Sequence, residues 1–158
     1  HTPHSESHGG STYCVVSSLF LLGHLEDIDH KDELISWLLN RQKSGFQGRP
    51  NKPADTCYSF WIGSSLRILD CIHLIDTRMC AQFVLDCQDP NRGGFGKGLD
   101  SHSDILHSYM SICGLGLMKF PGIRDLNPSL GISKRAAQNT SNIPPLPQER
   151  EGIFSNLD

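Results

Sequence analysis

The segment that decides the fold covers residues 37–63 and reads WLLNRQKSGFQGRPNKPADTCYSFWIG. It leaves an amphipathic helix, passes through a turn rich in glycine and proline, and enters a helix that is apolar on most faces. Residues 83–109 repeat this pattern as FVLDCQDPNRGGFGKGLDSHSDILHSY. The matched positions are Trp37 with Phe83, Gln42 with Gln88, and Phe46 with Phe95. The repeated unit is therefore an outer helix, a glycine-rich turn and an inner helix.

The inner helices start at equivalent positions of the repeat. Asp55 aligns with Asp104, 49 positions later, and 47 positions before Asp55 stands His8. Three inner and two complete outer helices follow from this register. Helices are predicted from residue 12 onward, at 32–41, 56–74, 77–87 and 103–118, with a short one in 127–134. Ser103 is the expected N-cap of its helix, and no strands are predicted.

Composition excludes several function classes. The 158 residues carry 14 basic and 17 acidic side chains, a net charge of −3, which argues against a nucleic-acid binder that works by bulk charge. No apolar run approaches the ~20 residues of a membrane span. Six cysteines at 14, 57, 71, 80, 87 and 113 lie mostly in apolar helical stretches. This indicates free thiols in a reducing, cytoplasmic compartment, whereas a secreted protein with disulfides is the alternative.

The helix starts carry a candidate metal site. If the inner helices run parallel round an axis, Asp55, Cys57 and His107 converge at one end although they are distant in sequence. Oxygen, sulfur and nitrogen ligands suit zinc, and three protein ligands leave a fourth position open, as in catalytic zinc sites. Taken singly, these residues also fit a helix-capping aspartate, a core cysteine and a core histidine.

Cations collect near the same helix starts, beside an apolar interior. Arg49 and Lys52 precede one inner helix, Lys97 lies in the matching turn, and His8 precedes the first inner helix. Helix N-termini with convergent cations suit a phosphorylated ligand, although each cation alone also fits a solvated loop. The residues one turn deeper can line an apolar cavity or serve as core; they are Tyr13, Cys14, Trp61 and Met110. Together these features point to S-alkylation of a cysteine by a prenyl diphosphate.

Three stretches carry a family resemblance: HGGSTYC (8–14), GFQGRPNKPADTCYSFWIG (45–63) and GGFGKGLDSHSDILHSYMSICGLGLM (93–118). They resemble the β subunits of protein prenyltransferases, most closely those of type I geranylgeranyltransferases, over residues 8–135. The resemblance implies an all-α fold, an α-α toroid (α6-α6 barrel) of about six helical hairpins, of which roughly half is present here. Residues 1–135 are then a partial toroid, and residues 136–158 read as a disordered tail.

The resemblance also implies roles for individual residues. The implied zinc ligands are Asp55, Cys57 and His107. The implied diphosphate-binding residues are His8, Arg49, Lys52, Tyr58 and Lys97. The implied isoprenoid-pocket residues are Cys14, Trp61 and Met110, although Met110 departs from the aromatic residue usual there, and Leu106 matches a position that touches the peptide. Lys97 stands where farnesyltransferase has an aspartate linked to magnesium, so the resemblance implies a zinc-dependent reaction without magnesium.

The implied activity is transfer of geranylgeranyl from geranylgeranyl diphosphate to the cysteine of a C-terminal CaaX motif, with X usually Leu, through a zinc-bound thiolate. The implied partners are an α subunit and CaaX proteins such as small GTPases. A farnesyl- or Rab-type β subunit is one alternative, and a truncated, non-catalytic chain that binds zinc or the α subunit is another. A half-toroid would expose the interior faces of its helices, so the isolated chain is expected to be inactive.

Overall fold

The computed structural model describes residues 6–142, which are mainly helical. The helices are α1 (Gly9–Leu22), α2 (Lys31–Leu39), α3 (Tyr58–Ile68), α4 (Thr77–Asp86), α5 (Ile105–Leu117) and α6 (Lys134–Gln138). Short 3₁₀ turns occupy Leu25–Asp27, Ile72–Leu74 and Asn139–Asn142. Two antiparallel pairs join β1 (Phe95–Gly96) to β2 (Ser103–Asp104) and β3 (Leu126–Asn127) to β4 (Ile132–Ser133). Of the expected tail, residues up to 142 are helical, and 143–158 lie outside the described residues.

The inner helices stand side by side, with α3 between α1 and α5. On the outside, α2 packs on α3 and α4 packs on α5. The core centres on α3, whose Phe60, Ile62 and Leu66 are almost completely buried. A Cβ atom at Gly114 of α5 would overlap Ser59 of α3, so glycine lets these two helices approach closely. The predicted arrangement of outer and inner helices is confirmed.

The turns of the two repeats are also equivalent in structure. Gln42 pairs with Phe46 in an isolated antiparallel bridge, and Gln88 pairs with Phe95 in the same way. These are the residues that the sequence register matches. The repeat therefore extends from the helices to the backbone of the turns that connect them.

The outermost inner helices expose apolar side chains. The all-round apolar pattern of α1 predicts deep burial, but α1 buries Tyr13 and Val16 and leaves Val15 and Leu22 exposed. On α5, Ile105 is 90% exposed. Each of these helices has only α3 as a strongly contacting inner neighbour in the described chain, so one flank stays uncovered. The expected exposure of interior faces is thus present, and the expected full burial of α1 is wrong.

Other predicted boundaries are corrected by local backbone chemistry. The helix expected over 56–74 ends at Ile68, because Asp70 takes a left-handed conformation (φ 58°) and a separate 3₁₀ turn follows. The N-cap of α5 is Asp104, whose carboxylate accepts the backbone N–H of His107, and Ser103 lies in β2 instead. The helix expected in 127–134 is the β3–β4 hairpin. Its turn is fixed by the Asn127 side chain, which accepts the N–H groups of Ser129 and Leu130.

The β3–β4 loop is held between α1 and α5. The Tyr13 hydroxyl lies 3.1 Å from the carbonyl oxygens of both Pro128 and Ser129, and Ser17 Oγ donates to the Ser129 carbonyl at 2.9 Å. From the other side, the Tyr109 hydroxyl donates to the Gly131 carbonyl. The loop therefore links the two outermost inner helices. We call it the hydroxyl-held loop, residues 128–131.

Two further features bear on the predictions. All six cysteines lie in the described part of the chain and are free thiols, so the disulfide alternative has no support. Among residues 6–142, no helix combines the length and the apolar character needed to span a bilayer.

Candidate metal centre and anion pocket

Three side chains from two inner-helix starts meet at one point. Asp55 and Cys57 precede α3, and His107 lies in the first turn of α5. One ligand atom from each lies within 4.8 Å of the others. All three are largely buried, with the Asp55 and His107 side chains 11% and 14% exposed. The structure therefore brings together the metal ligands expected from the sequence.

The two ligands before α3 are fixed by the residue between them. Thr56 is fully buried; its N–H donates to the Lys97 carbonyl at 3.0 Å and its Oγ1 donates to the Gly96 carbonyl at 2.8 Å. Asp55 Oδ1 accepts the N–H of Cys57 at 3.0 Å, which orients the carboxylate. These two hydrogen bonds attach the start of α3 to the turn that leads into α5. They therefore hold Asp55 and Cys57 close to His107.

His107 is oriented by a carboxylate outside the ligand set. Its Nδ1 lies 2.6 Å from Asp104 Oδ2, and its Nε2 lies 3.3 Å from Asp55 Oδ1. The backbone and ring hydrogen bonds from His107 lower the pKa of Asp104, so this carboxylate is charged. Because a carboxylate only accepts, the neutral imidazole carries its proton on Nδ1. Nε2 then presents its lone pair toward Asp55.

A metal ion fits between these groups. His107 Nε2 and Asp55 Oδ1 lie 3.3 Å apart, so one cation could bind to both atoms. Burial, followed by hydrogen bonding and charge from Asp55, raises the pKa of the Cys57 thiol, and a bound divalent cation would act in the opposite direction. A carboxylate, a thiolate and an imidazole are a typical zinc donor set. These side chains can therefore hold zinc.

A cavity of about 260 Å³ reaches one of the three ligands, Asp55. It is lined by His8, Gly48, Arg49, Lys52, Pro53, Asp55, Tyr58 and Lys97. The sequence-predicted diphosphate residues therefore share one cavity, which we call the anion pocket. Asp55 belongs to both sites, and Lys97 Nζ lies 3.8 Å from its Oδ2. Lys97 thus stands at the boundary between the metal ligands and the cations.

Within the anion pocket, His8 and Tyr58 form a hydrogen-bonded pair. The Tyr58 hydroxyl lies 2.9 Å from His8 Nε2, while His8 Nδ1 accepts the N–H of Gly10 at 3.2 Å. Because Nδ1 is an acceptor, the ring proton of His8 lies on Nε2, and His8 works here as a neutral donor rather than as a cation. Burial raises the pKa of Tyr58 to about 12, so its hydroxyl keeps its proton at neutral pH. A Cβ atom at Gly48 would overlap the Tyr58 ring, which explains this glycine.

The expected isoprenoid residues differ in their burial. Cys14 is exposed, Met110 is buried, and Trp61 is partly buried against the rings of Tyr13 and Phe60, at centroid distances of 5.1 and 5.2 Å. Leu106, the expected peptide contact, is 52% exposed. Their roles toward lipid and peptide stay predictions.

Sequence reasoning missed two carboxylates near these sites. With Ser103 as the expected N-cap, Asp104 falls in the first turn of the predicted helix, yet its alignment with Asp55 marks it as an equivalent polar position. Glu6 forms an ion pair with Arg49 at 2.9 Å, and no sequence signal identifies it in advance.

Comparison with known proteins agrees with this geometry. A family model, the prenyltransferase alpha-alpha toroid domain, matches residues 1–132. The chain belongs to this family. The expected toroid fold class is therefore confirmed, and the helical hairpins described above are its repeats.

Several individual relatives of the chain are β subunits of geranylgeranyl transferases. The type-1 geranylgeranyl transferase β subunit of Dictyostelium discoideum is 44% identical over 137 residues, which are 86% of this chain and 39% of that protein. The type-2 β subunit 1 of Arabidopsis thaliana is 41% identical over 133 residues, 83% of this chain and 41% of that protein. A solved structure, the Candida albicans protein geranylgeranyltransferase-I complexed with GGPP, superposes with a TM-score of 0.77 at 32% identity, covering 87% of this chain and 43% of that one. The chain thus spans about two fifths of the length of these relatives.

Proposed function

We propose that this chain works as part of the β subunit of a type I protein geranylgeranyltransferase. The observation that carries the proposal is the shared residue Asp55, which joins a three-ligand metal site to a cation-lined pocket. An acceptor sulfur near the metal ligands and a diphosphate in the pocket would lie within reach of each other. That juxtaposition suits S-alkylation by a lipid diphosphate better than it suits a structural metal site, which would need no anion pocket.

In this proposal the anion pocket binds and stabilises the diphosphate. Arg49, Lys52 and Lys97 supply positive charge, and the His8–Tyr58 pair supplies neutral donors. Negative charge grows on the diphosphate as the bond to the lipid breaks, so donors fixed in advance stabilise the transition state more than the ground state. Neither Lys52 nor Lys97 is deeply buried, which leaves room for a ligand to contact them.

The reaction joins the acceptor sulfur to C1 of the isoprenoid. The C1–O bond to the diphosphate breaks, the diphosphate leaves with the bonding electron pair, and the thiol has lost its proton. Asp55, Cys57 and His107 would hold zinc, which lowers the pKa of a bound thiol and so supplies the thiolate. The chain's own contribution is to orient these ligands and to hold the leaving group beside them.

Lys97 favours the type I assignment. An ammonium group at the edge of the pocket, 3.8 Å from Asp55, supplies positive charge where an aspartate would call for a metal ion. Magnesium is accordingly expected to be dispensable. The similar identities of the type-1 and type-2 relatives, 44% and 41%, give little discrimination, so the lysine is the more specific support.

The uncovered flanks of α1 and α5 support the need for further chain and for an α subunit. Val15 and Leu22 on one side and Ile105 and Tyr109 on the other are exposed apolar residues that a completed toroid would cover. We propose that the active species is a heterodimer that contains this chain, the rest of the ring and an α subunit. CaaX proteins that end in Leu, such as small GTPases, are the proposed acceptors.

The decisive experiment measures lipid transfer by that heterodimer. Labelled geranylgeranyl diphosphate and farnesyl diphosphate are each offered with a C-a-a-Leu peptide, a C-a-a-Ser peptide and a Rab protein, with and without magnesium. Geranylgeranyl transfer to the C-a-a-Leu peptide without magnesium is expected.

Other outcomes would replace the proposal. Preferred farnesyl transfer would indicate a farnesyl-type subunit, and transfer to the Rab protein alone would indicate the Rab type. Binding of zinc or of the α subunit without any transfer would indicate the non-catalytic alternative.

A further inference from the structure

We propose that Asp104 is a positioning residue that keeps His107 in the tautomer able to bind the metal. The inference rests on the zinc site of the proposed function and extends it to a carboxylate outside the ligand set. Asp104 precedes α5 and is not one of the clustered ligands.

Both oxygens of Asp104 bind the same residue. Oδ1 accepts the backbone N–H of His107 at 2.9 Å, and Oδ2 lies 2.6 Å from His107 Nδ1. One contact fixes the base of the side chain and the other fixes the edge of the ring. Because the carboxylate accepts both bonds, Nδ1 must carry a proton, and the lone pair of the neutral ring is confined to Nε2, on the Asp55 side.

Asp104 is itself held by the strand pair before α5. It lies opposite Phe95 in the β1–β2 ladder, and the Phe95 N–H donates to Ser108 Oγ at 2.9 Å, one residue beyond His107. Within the described chain, His107 is the ion-pair partner found for Asp104. The backbone of Asp104 is therefore held in place by the strand pair, and its carboxylate orients the ring of His107.

Removal of such a partner typically weakens metal binding by about 10- to 100-fold. A test must separate this effect from the helix cap, because Asp104 also caps α5. Asp, Asn and Ser are comparable N-caps, so substitutions among them preserve the cap. They differ in what they offer to His107 Nδ1.

Two substitutions replace the hydrogen-bond partner of His107 Nδ1 in different ways. Asp104→Ser keeps a capping oxygen but is too short to reach the ring, so Nδ1 is left to water. Asp104→Asn keeps a capping oxygen and places an amide NH₂ beside Nδ1. A donor there favours the tautomer with its proton on Nε2, which points that proton at the metal site. Asparagine, although nearly isosteric, should therefore be the more damaging change.

The experiment measures zinc affinity by chelator competition in the completed heterodimer, for wild type, Asp104→Ser and Asp104→Asn. The expected order of affinity is wild type, then serine about 10- to 100-fold weaker, then asparagine weaker still. The thermal midpoint of the zinc-free heterodimer should be nearly the same for all three. Cobalt-substituted protein supplies a second readout, because a displaced imidazole changes the visible absorption of the cobalt.

The outcomes separate the two proposals. Equal zinc affinity and cobalt spectra in all three proteins would show that Asp104 only caps the helix, and this inference would be overturned. Asparagine binding as tightly as wild type, with serine weaker, would overturn the tautomer argument. A wild-type heterodimer that binds no zinc would overturn the proposed function, and this inference with it.

Discussion

The three inner helices begin with the same contact and then differ. His8, Asp55 and Asp104 occupy equivalent repeat positions, and each accepts a backbone N–H from the start of its own helix, donated by Gly10, Cys57 and His107. Each has a second polar atom, and these atoms have different partners. In His8 it faces Tyr58, in Asp55 it faces the anion pocket, and in Asp104 it holds His107.

The difference arises from where each helix begins. His8 and Asp104 are the N-caps of α1 and α5, whereas α3 begins at Tyr58, so Asp55 stands two residues before its N-cap, Cys57. That additional backbone places Asp55 Oδ2 near Lys97 in the anion pocket instead of against its own helix. In all three repeats, one atom of the side chain therefore accepts a backbone N–H at the start of the helix. The second polar atom has a different partner, and a different role, in each repeat. Substitutions can separate the shared contact of the three side chains from their different functions.

The largest effect, loss of bound zinc, is expected when a metal ligand at the start of α3 or α5 is removed. Cys57→Ala and His107→Ala should each abolish stoichiometric zinc in the completed heterodimer, because two remaining ligands bind the ion too weakly. Elemental analysis after gel filtration checks this, with Cys80→Ala, which removes a buried thiol of the outer helix α4, as the control. Stoichiometric zinc in either ligand variant would show that the ligand assignment is wrong.

The next effect concerns the charge beside Asp55. Lys97→Asp should lower geranylgeranyl transfer without magnesium by about 100-fold, since it removes a donor that stabilises the leaving diphosphate. Added magnesium should restore part of the rate. The control is Lys43→Asp, which changes the charge equally in the preceding turn but away from the anion pocket. A variant indifferent to magnesium would contradict the charge-replacement role.

A smaller effect should separate the two atoms of His8. His8→Asn keeps a capping acceptor but cannot reproduce the imidazole Nε2, so affinity for geranylgeranyl diphosphate should fall about 10- to 100-fold while thermal stability changes little. His8→Ala should lose both the cap and the affinity. Calorimetric titration and thermal unfolding measure the two properties. Unchanged affinity in the asparagine variant would mean that His8 serves only as a cap.

The smallest effect concerns the connection between the repeats. Thr56→Val removes the hydroxyl that donates to Gly96 and should destabilise the fold by about 1–3 kcal/mol, the cost of an unpaired buried carbonyl. Thr56→Ser retains the hydroxyl and should lose less. Chemical denaturation of the heterodimer measures both. A valine variant as stable as wild type would indicate that the N–H bond to Lys97 is sufficient.

Much of this arrangement follows from the sequence. The match of Gln42 and Phe46 with Gln88 and Phe95 predicts two equivalent turns, and the structure confirms their bridges. Parallel inner helices then place Asp55, Cys57 and His107 together, since their starts share one end. These predictions succeed because equivalent positions of a structural repeat lie close together in space even when they are distant in sequence.

The remainder depended on contacts that periodicity does not encode. A short helix is predicted in 127–134, but Asn127 binds the backbone two and three residues ahead and forms a hairpin turn. The exposure of Val15 depends on which neighbours α1 has, and composition carries no such information. Asp104 was visible as a helix-start residue, yet its hold on the ring requires a side-chain conformation that only the structure gives.

The hydroxyl-held loop has a consequence for the order of folding. Tyr13 and Ser17 bind carbonyl groups 112–116 residues later in the chain, so these bonds join segments that are far apart in sequence. A growing polypeptide emerges from its N-terminal side, and α1 and α3 can pack long before residue 129 has been made. The bonds to the loop must therefore form late, and because they are directed at backbone carbonyls, they close the structure whatever side chains the loop carries.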